Sequence, residues 1–180
     1  MKKVFGLLAA AAVLSSGFSL AQSDQSHDVN IKIPDVLRIR LTDGASNAAV
    51  ANPTPVEFDF VANQAIFDVG DYGPTNIGSF NWDDVKVFSN DADGWEVQVS
   101  TVNNSAAVFD WSKVTVRHAG ANANVTADFD IAGGSIADNT AKTGGWESLG
   151  FGPNDYTISF DGSEDAGDYN GTVTYDIFGL

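Results

Sequence analysis

From Val85 to Val99 the chain reads V-K-V-F-S-N-D-A-D-G-W-E-V-Q-V. Val85 and Val87 alternate with Lys86, Trp95, Val97 and Val99 alternate with Glu96 and Gln98, and the residues between, Ser89 to Gly94, are turn formers. Successive side chains on a strand point to opposite faces, so each flank has one apolar face to bury. Two such flanks around a turn cluster predict a β-hairpin with Trp95 in the core. The stretch carries no catalytic group and constrains fold before chemistry.

The same period of two recurs along the chain. It runs through Val29-Ile31-Ile33, Leu37-Ile39-Leu41, Val56-Phe58-Phe60, Phe67-Val69, Val114-Val116, Val125 to Ile131, Tyr156-Ile158-Phe160 and Val173-Tyr175-Ile177. No helical period of useful length and no internal repeat competes with it. The expectation is an all-β, antiparallel β-sandwich of the immunoglobulin-like or pilin-like kind, with roughly eight to ten short strands. An outer-membrane barrel would need longer strands with a lipid-facing band, and Pro34 interrupts the best run. Pro34 itself marks a bulge, an edge or a change of sheet. Arg38 and Arg40, outward on their strand, are expected to pair with acids on a neighbour. Ala132 to Asp155, with paired glycines, Trp146, Leu149 and Phe151, reads as the longest irregular stretch.

Residues 1–21 have the plan of a signal peptide: Lys2 and Lys3, an apolar run from Val4 to Leu14, and small residues before a cut after Ala21. The run is too short for a membrane span, and none is expected in the mature chain. A polar tail, 22–28, then leads into one domain, 29–180. Export by the Sec route follows, with the product at the cell surface, in the periplasm or outside the cell. With no cysteine, disulfides, thiolate metal sites and a lipid anchor on cysteine are all excluded. A formal charge of −15 disfavours nucleic acid and anionic membranes as partners.

Candidate chemistry is sparse. The two histidines are His27, in the polar tail, and His118, at a strand end; neither has the context of a catalytic base or a metal triad. Acid pairs are many, as expected of turns, and no enzyme is predicted. Two acid-rich loops, with Asp91 and Asp93 in one and Asp161, Asp165 and Asp168 in the other, would suit calcium if they are not simply solvated turns. Trp146, Phe151 and Tyr156, in or beside the Gly-rich stretch, are candidates for stacking on sugar rings. Val29 to Ile33, after a flexible tail and cut off by Pro34, is a candidate for strand addition to a neighbouring subunit, a route to self-assembly.

Two motifs taken together resemble the WxL domain of bacterial surface proteins. Gly94-Trp95-Glu96-Val97-Gln98-Val99-Ser100 is similar to its first Trp-x-Leu motif, with Val97 in place of leucine. Ala166-Gly167-Asp168-Tyr169-Asn170-Gly171-Thr172-Val173-Thr174-Tyr175-Asp176-Ile177 is similar to its closing strand, with Tyr175 and Ile177 where the second Trp and Leu stand. The closing strand also resembles those of secreted pilin-like and spore-coat-type sandwiches. The WxL resemblance implies a non-catalytic cell-envelope module held non-covalently by cell-wall polymer or other surface proteins, with Trp95 and Tyr175 as motif residues.

Overall fold

The computed structural model describes residues 28–61, 71–118, 120, 122–161 and 163–180. The signal segment, the tail up to His27 and the expected Phe67-Val69 strand lie outside them. The chain divides into two units, Met1–Ile33 and Pro34–Leu180. In the first, the residues from Asp28 to Ile33 form no strand, and Val29, Ile31 and Ile33 are 70%, 77% and 76% exposed. The strand expected there is absent from this chain's own ladders.

The second unit is an antiparallel β-sandwich with ten strands among the described residues: β1 (Leu37–Thr42), β2 (Asp71–Tyr72), β3 (Asp84–Ser89), β4 (Trp95–Asn103), β5 (Val114–Val116), β6 (Phe129–Asp130), β7 (Gly133–Asn139), β8 (Glu147–Ser148), β9 (Tyr156–Ser159) and β10 (Gly171–Gly179). They form three sheets, ordered β1-β3-β8, β10-β4-β7 and β2-β9-β5-β6. No helix among the described residues is long and apolar enough to cross a membrane.

The expected hairpin is not one. β3 pairs with β1 and β8, β4 pairs with β10 and β7, and the two flanks of the turn never pair with each other. The turn is an arch that carries the chain from one sheet to another. Period-two alternation is the same in both cases, because a strand alternates identically whether its successor lies beside it or across the core. Val85, Val87, Trp95, Val97 and Val99 are all at most 2% exposed. Asn90, at the start of the arch, ties the entry to β1: its side chain accepts from Val36 N–H at 2.6 Å and donates to Pro34 C=O at 2.9 Å. Gly94, at its end, has φ +108°.

Three further expectations change. Val56 to Phe60 alternates in burial but forms no ladder, because side chains take its N–H groups: Asn76 Oδ1 accepts from Glu57 and Thr75 Oγ1 from Asp59. The run from Val125 to Ile131 is reduced to a single bridge at Val125 and the two residues of β6. The stretch expected to be irregular holds β7, β8 and a 3-10 turn at Pro153–Asp155. Gly133 and Gly134 read as loop residues, yet they begin β7 at φ +154° and +136°, and β7 follows β4 through a register shift at Val97/Gln98.

One apolar cluster spans the three sheets. At its centre the hydroxyls of Tyr156 on β9 and Tyr175 on β10 lie 2.5 Å apart and share a hydrogen bond. Burial pushes Tyr156 up to about 12 and Tyr175 well above the usual tyrosine range, with the neighbouring phenol adding to the shift in Tyr175. Both groups hold their protons more tightly in the folded chain than in the unfolded one. Their contribution to stability is therefore complete below about pH 10 and is lost as pH rises towards the folded values. Denaturant titrations along an alkaline series should show this loss, and Tyr175→Phe should flatten it. An equally steep loss in Tyr175→Phe would assign the alkaline transition to other groups.

Candidate functional site

Four of the five aromatic residues singled out for binding are core residues. Trp95 is 0% exposed, Phe151 2% and Tyr156 4%. Tyr175 is half-buried, 5.7 Å from the Phe151 ring and bonded to Tyr156. β4 and β10 do pair along their length, but Trp95 lies opposite Gly179 and Tyr175 opposite Val99. The two motif residues share the inner face of one sheet without facing each other. A ligand at the surface reaches neither Trp95 nor Tyr156.

The acid loops do not converge. Among the described residues no three His, Cys, Asp or Glu side chains are grouped as metal ligands. Asp91 Oδ1 accepts the Asp93 N–H at 3.0 Å, closing the arch. Asp161 accepts from the Ser163 and Lys113 side chains, which hold its carboxyl well below the usual carboxylate range. Lys113 also bonds Glu164, and its ammonium stands where a cation would need to sit. Asp165 contributes its backbone carbonyl to the Tyr169 hydroxyl at 2.6 Å, and Asp168 is exposed.

Trp146, half-buried like Tyr175, stands outside the apolar core cluster, and it is not solitary. The valines of β3 face the core, so Lys86 and Phe88 face outward. Across the ladder they meet Arg40 and Arg38 of β1, and Ser148 of β8 lies beside Lys86 on the other flank. Trp146, two residues before Ser148, reaches the same face. The Arg40 guanidinium carbon sits 4.4 Å over the Trp146 ring, and Phe88 is tilted against that ring at 5.7 Å. Arg40 also donates to Asn47 C=O at 2.7 Å. Lys86 donates to Gly44 C=O at 3.0 Å and Ser46 C=O at 3.2 Å, with Asp84 3.9 Å away. Burial raises the Asp84 carboxyl above its ordinary range despite the Ser148 hydroxyl bonded to it.

The arginines are therefore not paired with acids, as their place on β1 led one to expect. They face a lysine and a phenylalanine. Like charges directly opposite on a sheet destabilise it, and here carbonyl oxygens and the Trp146 ring offset that repulsion locally. Arg38 is exposed and in no ion pair among the described residues. Three of the chain's basic residues, two aromatic rings and few acids thus share one outer face of a protein whose formal charge is −15. Lys86 and Phe88 were legible as the outward members of β3; that they border Arg38 and Arg40 follows only from the β1–β3 pairing. No protein-family description, curated protein or solved structure matches the chain.

Proposed function

We propose that the chain is a non-catalytic exported protein, retained at a cell surface by binding an anionic surface polymer on the outer face of β1, β3 and β8. The observation that carries this reading is Arg40 directly opposite Lys86, with Arg38 exposed beside them and Trp146 under the Arg40 guanidinium. Local contacts offset the repulsion between Arg40 and Lys86, and Arg38 stays exposed beside them. A polymer bearing carboxylates or phosphates gains planar, bidentate donors held in place. Trp146 acts by orienting Arg40, since the guanidinium already covers one of its faces. Export rests on the Lys2-Lys3 segment and its apolar run. Trp95 and Tyr175 keep the fold, and retention belongs to another face.

The test is co-sedimentation of the protein with insoluble cell wall carrying its anionic polymer, over a salt series. Wild type should pellet at low salt and be released as salt rises, because exposed charges are screened. Arg38→Ala with Arg40→Ala should weaken retention by roughly tenfold, equivalent to about 1.4 kcal/mol, with the melting midpoint little changed. Trp95→Phe should pellet as wild type does. A double arginine variant that pellets normally would overturn the reading, as would wild type remaining in the supernatant at low salt.

A further inference from the structure

Two features stand out, an exposed alternating segment in the first unit and a sheet edge in the second. Val29, Ile31 and Ile33 alternate with Asn30 and Lys32 in a segment that pairs with no strand among the described residues and exposes its apolar side chains at 70%, 77% and 76%. Isolated exposed apolar side chains are ordinary; three at spacing two have the side-chain pattern of an amphipathic strand, in a segment that forms none in its own copy. β10, in turn, is the edge of its sheet, and β4 is its one ladder partner among the described residues.

The two edges of that sheet are treated differently. β7 is guarded: it has a register shift against β4, two leading glycines at positive φ, and a bridge from Val125 at Ala137. β10 runs nine residues, Gly171 to Gly179, in unbroken register with β4, and no proline, lysine or bulge blunts it. Natural edges of this length normally carry such protection. Its inward side chains Val173, Tyr175 and Ile177 are only partly buried against the core.

We infer that Val29 to Ile33 of one copy adds as a strand to β10 in a second copy, along the edge that is not hydrogen-bonded to β4 and short of the corner where Gly179 meets Leu37. The pattern fits in chemistry and in period. Three apolar residues at spacing two would lie beside three half-covered apolar residues at spacing two, and would complete that side of the core. Any register that turns Val29, Ile31 and Ile33 inward turns Lys32 outward, onto the face carrying Thr172, Thr174 and Asp176. In the register that sets Lys32 opposite Asp176, its positive charge meets the acid of the strand it joins. Each copy offers one donor segment and one acceptor edge. The contact is head-to-tail and generates open chains of subunits unless a ring closes.

The full chain lacks cysteine, so single cysteines report contacts without background. Chains carrying Lys32→Cys are mixed in turn with chains carrying Thr172→Cys, Thr174→Cys or Asp176→Cys and oxidised. Facing side chains on paired strands bring Cβ atoms within about 5 Å, within reach of a disulfide. At least one mixture should give the mixed dimer, and which one it is fixes the register. Ser100→Cys, exposed on β4 one strand further in, should give none. Sedimentation of the unmodified chain should show assembly growing with concentration. Ile31→Asp should weaken assembly at least about tenfold by placing a charge in the new core. Ile31 is 77% exposed and belongs to none of the ten strands, so the circular dichroism spectrum and melting of that variant should match wild type. Three results would each overturn the inference: a wild type monomeric throughout, an Ile31→Asp variant that assembles as well as wild type, or bridging at Ser100→Cys equal to that at β10.

Discussion

Gly94→Ala should lower stability by roughly 3 kcal/mol or more, combining a strained backbone angle with a clash against main chain. Gly94 has φ +108°, and a Cβ built there would lie 2.2 Å from the Asn139 carbonyl oxygen and 2.8 Å from Thr140 Cα. Neither atom is the end of a flexible side chain, so relief would require β7 to move away from the arch. For a chain of this length the melting midpoint should fall by about 10 °C. Gly144→Ala separates the two contributions. Gly144 also has positive φ, +68°, but nothing lies within 4 Å of its Cβ position, and the cost there should be about 1–2 kcal/mol. Equal melting shifts in the two variants would show that the close approach of β7 to Gly94 carries no energy.

Trp95→Ala should cost about 3–5 kcal/mol, the usual range for emptying a large aromatic site in a core. Trp95 is fully buried, and its indole N–H is buried with no acceptor among the described residues. A buried donor left unmade costs about 1–3 kcal/mol. Trp95→Phe removes that donor along with some volume, and the two effects oppose each other. Its cost should be near 1 kcal/mol, well below that of alanine. Denaturant midpoints of both variants decide the matter. A phenylalanine variant as unstable as the alanine variant would mean that the N–H contributes a bond.

The same two residues show what was legible before the structure and what was not. Trp95, Val97 and Val99 announced an inward face by alternation alone, as did Leu37-Ile39-Leu41 in β1 and Val173-Tyr175-Ile177 in β10. Pairing was another matter. Alternation records which side of a strand is buried but not which strand lies beside it, so an arch passed for a hairpin. Val56 to Phe60 alternated correctly and still made no ladder, because its N–H groups found the side chains of Thr75 and Asn76 first. β7 was hidden by Gly133 and Gly134, whose positive φ marks a loop in most sequences and here fits an irregular ladder. The surface site suffered from the same limit. Arg38 and Arg40 were readable as outward neighbours, but Phe88 and Lys86 become theirs only through the β1–β3 register. The buried aromatics Phe151 and Tyr156 looked available because glycine-rich sequence around them imitated an open loop.

The arch also bears on how the sandwich carries load. Leu37, where β1 begins, pairs with Ser89, and Gly179, where β10 ends, pairs with Trp95; Ser89 and Trp95 are the two residues flanking the arch. The Cβ position of Gly179 is 3.6 Å from Leu37 Cδ1, so these two strand ends meet at one corner. A tension drawn between them would open both ladders from that corner, one pair at a time, with no stage at which many hydrogen bonds share the force. The fold resists pulling there as a zipper does, and the arch is the stitch at which the tearing starts.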